Sequence, residues 1–99
     1  MIKFVKVAGN SLYPKIKPGD YVIVSHPPWL YLSLHQGDVV VFNHDVYGRL
    51  IKIVSSIDSE KGQLTVAGLN SESMDSTALG PIRKKDILGK VIWHISRRE

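Results

Sequence analysis

The chain has 99 residues, with 13 Lys and Arg against 9 Asp and Glu, a formal net charge of +4 and no cysteine. That length fits one domain, residues 1–99, around one core, and the missing cysteines exclude a disulfide framework, a cysteine nucleophile and a thiolate metal site. A hydrophobic fraction of 43% with 22% charged residues excludes a disordered chain. No run approaches the roughly 20 apolar residues of a membrane span. The N-terminus also lacks a signal-peptide apolar region, so a soluble, cytoplasmic protein is expected.

In chain order, short Val- and Ile-rich runs at 4–7, 21–24, 39–42, 50–57, 64–67 and 87–95 predict strands, each bounded by Gly, Pro, Asn or Asp. After the first comes Gly9-Asn10-Ser11-Leu12-Tyr13-Pro14, which predicts a turn and one helical turn near 13–16. The second and third strands are each fed by the same dipeptide, Gly19-Asp20 and Gly37-Asp38, a shared turn device and no repeat architecture. Between them, 25–36 is irregular, and its apolar part, 27–34, is expected to pack over one end of the core or to touch a peptide or membrane surface. A second irregular stretch covers 69–80, and a single helical turn is expected near 84–87. No window sustains a 3.6-residue apolar period. Many short strands in a small chain predict a mostly β fold, a coiled, folded-over sheet or partly open barrel with only single-turn helices.

Few residues offer chemistry. Ser11 sits at a strand-to-turn junction, where a hydroxyl and backbone N–H groups can face a cleft; a turn-capping role would use the same residue type. Lys52, in Leu50-Ile51-Lys52-Ile53-Val54, shares a strand face with Leu50 and Val54. Such a face is either apolar and inward or a solvated edge. A lysine base at neutral pH must fall from about 10.4 to about 7 or 8, which means roughly 4 kcal/mol of destabilised charge; burial among aliphatic side chains supplies this. The loop from Gly68 to Gly80 holds Ser73, able to hydrogen-bond an amine, and Asp75, able to anchor a loop through backbone N–H groups. The four histidines, His26, His35, His44 and His94, lack paired metal spacing, so no metal or cofactor is expected. A triad of Ser11, His44 and Asp75 is permitted by chain order but singled out by nothing local. Lys84-Lys85 and Arg97-Arg98 read as solvated charges, and no interleaved aromatic and basic face predicts nucleic-acid binding.

In order, these segments resemble the signal peptidase I family of serine-lysine endopeptidases, part of the LexA/signal peptidase superfamily, over nearly the whole chain. Gly9-Asn10-Ser11-Leu12-Tyr13-Pro14 with Gly19-Asp20 is similar to the nucleophile box. Gly37-Asp38 with its strand and Lys52 are similar to the lysine box, and Gly68-Leu69-Asn70 with Ser73-Met74-Asp75-Ser76 to the closing boxes. The resemblance implies Ser11 as nucleophile and backbone oxyanion donor, Lys52 as general base, Ser73 as the hydroxyl orienting the lysine and Asp75 as a support. It implies an endopeptidase that removes an N-terminal leader or propeptide from a protein substrate, nearest to short soluble relatives resembling nickel-type superoxide dismutase maturation proteases.

Leu12 replaces the usual Met, a volume-conserving change. Ile53 and Leu69 replace an Arg and an Asp together, and an ion pair can be exchanged for aliphatics without loss. Thr77 replaces an Arg and leaves Asp75 without that partner. A noncatalytic peptide-binding module of the same fold is the alternative these departures raise. Only ten residues precede Ser11, so self-cleavage in the manner of LexA-like repressors is not expected.

Overall fold

Val- and Ile-rich runs that are apolar at consecutive positions, rather than alternate ones, need a core on both faces of the sheet. In the computed structural model, which describes residues 2–7, 12–13, 15–68 and 79–96, they form such a sheet. The strands are β1 (Ile2–Lys6), β2 (Tyr21–Ser25), β3 (Val39–His44), β4 (Gly48–Asp58), β5 (Gln63–Ala67), β6 (Ile82–Arg83) and β7 (Ile87–Ile95). Their order across the sheet is β1-β2-β7-β3-β4-β5-β6, with every neighbouring pair antiparallel.

Along β3, Val40 and Phe42 enter one buried cluster and Val41 the other. The first cluster is closed by Leu64 and Val66 of β5, Ile82 of β6 and Leu79; the second by Val22 and Val24 of β2 with Val7, Leu12 and Ile16. Each wing therefore curls over a different face of the centre, and the sheet is coiled and open, as expected. Register shifts at Ile23/Val24, Val41/Phe42 and Val54/Ser56 provide local bends. Gly89 lets two strands approach closely, since a Cβ there would meet a Val24 methyl and lie 2.8 Å from the Ser25 carbonyl oxygen. On the opposite side of the β1-β2-β7 wing, Phe4 and Trp93 flank Ile23 and are exposed.

Both Gly-Asp turns use one geometry. Asp20 N–H donates to Lys17 O at 3.0 Å and Lys17 N–H to Asp20 Oδ2 at 3.0 Å; Asp38 N–H donates to His35 O at 3.1 Å and His35 N–H to Asp38 Oδ2 at 2.8 Å. The third residue of each turn, Gly19 or Gly37, has φ of +93° or +97°, a conformation that makes glycine the least strained choice.

Two local expectations change. The stretch 27–34 is not wholly irregular: it contains one helical turn, α1 (Leu30–Ser33), whose Leu30, with the following Leu34, is buried in the first cluster. Turn formation follows from that burial, because alternate anchoring of Leu30 and Leu34 matches a helical period. The strand β6 lies where a turn sequence hid it. The single turns elsewhere agree: Ile16 N–H donates to Leu12 O at 3.0 Å, and a 3-10 turn spans Lys84–Asp86.

Candidate active site

Lys52 lies on β4, an interior strand between β3 and β5, and is 2% exposed. A solvated-edge position is thereby excluded. Alternation sends Leu50 and Val54 toward the first cluster and Ile51 and Ile53 toward the second, so Lys52 shares the face of the first. Its cross-strand partner Val40 is fully buried. Val40 is also opposite Lys90 of β7, which puts the two lysines two strands apart on one face, roughly 10 Å between backbones. Lys90 Nζ is held 3.3 Å from Asp38 Oδ2.

The β4–β5 ladder reaches Ile53 opposite Ala67. Counting on by one residue brings Gly68 beside Lys52, where the serine-rich segment begins. That segment returns at Leu79, which joins Val40 and Val54 in the first cluster and accepts a 3.0 Å hydrogen bond from His44 Nε2. The tautomer follows from the other ring nitrogen, because His44 Nδ1 accepts the N–H groups of Val46 and Tyr47 at 3.1 and 3.3 Å. His44 is thus a strut between the β3–β4 hairpin and the end of the segment, with both ring nitrogens engaged by backbone groups of the described residues. Ser73 and Asp75 lie outside the described residues.

The serine turn is bounded in the same way. Ser11 lies outside the described residues, and so does its distance to Lys52, but its neighbours are placed. Val7 and Leu12 are buried in the second cluster, against which Ile51 and Ile53 of the lysine strand also pack. Ile53, at the position where the signal peptidase pattern has Arg, is therefore in apolar surroundings, and Leu12 fills a core site as the usual Met would. Val7 is fastened to the turn that follows: Val7 N–H donates to Asp20 O at 2.8 Å and Gly19 N–H to Val7 O at 2.7 Å. Asp20 is itself buried, and its Oδ2 lies 2.7 Å from His94 Nε2 at the end of β7.

Sequence reasoning found the Gly-Asp turn but not this histidine. No periodicity links residues 74 positions apart in the chain, so no local signal was available. Among the described residues no group of three or more His, Asp or Glu side chains is placed to hold a metal, and no helix is long and apolar enough to cross a membrane.

A family model described as Peptidase S24-like matches residues 2–92. No curated protein matches the chain. The match supports the LexA/signal peptidase superfamily, and it carries no support for the branch resembling nickel-type superoxide dismutase maturation proteases.

Proposed function

Because the chain belongs to the Peptidase S24-like family, we propose that it is a serine endopeptidase with a Ser11–Lys52 dyad, acting on the N-terminal leader or propeptide of a protein substrate. The observation that carries this reading is the burial of Lys52 on an apolar strand face. Desolvation penalises an ammonium, and a lysine acting as a base needs its neutral form.

In the proposed reaction the Lys52 amine removes the Ser11 hydroxyl proton as the oxygen attacks the scissile carbonyl. The Ser11 backbone N–H stabilises the resulting oxyanion. Collapse of the tetrahedral intermediate breaks the C–N bond, and Lys52 delivers its proton to the leaving amine. Neutral again, Lys52 activates water to hydrolyse the acyl-enzyme. Ser73 would hold the amine in line and Asp75 would brace the loop, with no metal or organic cofactor in any step. An extended substrate would add beside the site as a strand.

The test is incubation with leader-bearing candidate substrates, reading products by mass spectrometry for the wild type, Ser11→Ala and Lys52→Met. One specific cut by the wild type, lost in both variants, is expected. Cleavage undiminished in both variants refutes the dyad, and peptide binding without any cut by the wild type favours the noncatalytic module.

A further inference from the structure

On the α1 side of the fold an open groove of about 250 Å³ runs between the segment leading into α1 and the 3-10 turn before β7. Its floor is Leu30 and Ile87, both anchored in the first cluster. One wall is Pro27 and Pro28, and the other is Tyr31 with Lys84 and Lys85. This is more room than a single ion needs.

The walls are held in place before anything binds. Tyr31 reaches the β4–β5 hairpin, its hydroxyl 3.1 Å from Asp58 O and 3.0 Å from Gln63 O, and Lys84 N–H donates to Gly62 O at 3.0 Å. Lys84 Nζ lies 5.5 Å from the centre of the Tyr31 ring. The acid next in sequence, Asp86, is engaged by Arg83 Nε at 3.1 Å, so the two lysine charges are not cancelled by it. The lining holds Lys84, Lys85 and His26 and no acidic residue. Pro27 and Pro28 supply no N–H donors, which leaves the ammonium groups to recognise an anion.

We propose that this groove docks an acidic polypeptide segment whose carboxylates meet Lys84 and Lys85 while an apolar side chain lies over Leu30 and Ile87. The alternatives fit less well. A nucleic acid would need an open aromatic face on which to stack, and Lys84 occupies the Tyr31 ring face. A bilayer is too flat to enter a concave groove, and a second copy of a chain with net charge +4 brings like charge with it. Lys52 is not among the residues that line the groove, and the proposal does not depend on whether the chain cleaves what it docks.

The experiment is fluorescence anisotropy with a labelled peptide alternating Glu and Leu, compared with its Gln-for-Glu counterpart. The acidic peptide is expected to bind about tenfold more tightly, with the advantage shrinking as salt rises. Lys84→Gln/Lys85→Gln should remove the advantage, Lys6→Gln on the far wing should keep it, and Lys84→Glu/Lys85→Glu should bind a Lys-for-Glu peptide instead. Thermal melts followed by circular dichroism establish that each variant is folded. Equal binding of the acidic and amide peptides, or no change in the double variants, overturns the proposal. It is also overturned if an oligonucleotide or anionic vesicles bind this groove more tightly than the peptide, or if the groove variants abolish self-association.

Discussion

Replacing Asp20 with alanine removes the buried carboxylate that joins three parts of the chain. Its Oδ2 is 2.7 Å from His94 Nε2 and 3.0 Å from the Lys17 N–H, and truncation deprives both donors at once. A hydrogen bond to a charged group is worth about 1.5–3 kcal/mol, and loss of a side-chain cap on a backbone N–H costs about 1 kcal/mol. His94 has a side chain 27% exposed, so water replaces part of its lost bond and the lower end of the range applies to that term. The expected loss is about 2–3 kcal/mol, a fall in Tm of about 10 °C or more for a domain of this size. Urea denaturation followed by circular dichroism measures it. Asp20→Asn, which keeps an acceptor for Lys17, should lose less. A double-mutant cycle with His94→Ala should return a coupling of about 1 kcal/mol. A cost under about 0.5 kcal/mol for Asp20→Ala, the level of an ordinary surface substitution, or no coupling to His94, would refute the clamp.

Gly89→Ala forces a methyl against Val24 and the Ser25 main-chain oxygen; the expected loss is about 1–3 kcal/mol in a thermal melt. Adding Val24→Ala should recover only part, because the carbonyl remains, and a variant as stable as the wild type would contradict the close approach. Burial first, and then the nearby Asp58 carboxylate, raise the Tyr31 phenol above its ordinary value. The protonated phenol is thus favoured in the folded state: its stabilisation is full below the unfolded value near pH 10 and is lost as pH rises through the higher folded one. Tyr31→Phe should therefore cost about 1 kcal/mol at neutral pH, with the difference from wild type shrinking in urea melts above about pH 10. A difference independent of pH would contradict this assignment.

All six strands legible in the sequence fall within two residues of their predicted ends, because Val and Ile runs bounded by turn residues carry their own boundaries. The first strand ends before Val7, which turns inward to meet Asp20. The Gly-Asp turns were also readable, since positive φ at the third position selects glycine and the aspartate caps its own turn. By contrast β6 is two residues long and exists only because Leu64 and Gln63 offer it a partner. α1 was hidden in a proline-rich stretch, and it is fixed by where Leu30 and Leu34 find a core.

The candidate site divides along the same line. Alternation alone placed Lys52 on a face with Leu50 and Val54, and the order of motifs along the chain was enough to indicate the LexA/signal peptidase superfamily, though not the branch within it. Whether that face was buried or wet depended on β4 lying between β3 and β5, which is a matter of strand order and not of any local pattern. The Asp20–His94 contact, the strut from His44 to Leu79 and the groove between Pro27 and Lys85 likewise join residues distant in sequence. Side-chain period and turn chemistry act over a few residues and can be read from them. Strand pairing and the curl of each wing over its own core are decided by apolar burial across the whole chain, and only the folded structure records that outcome.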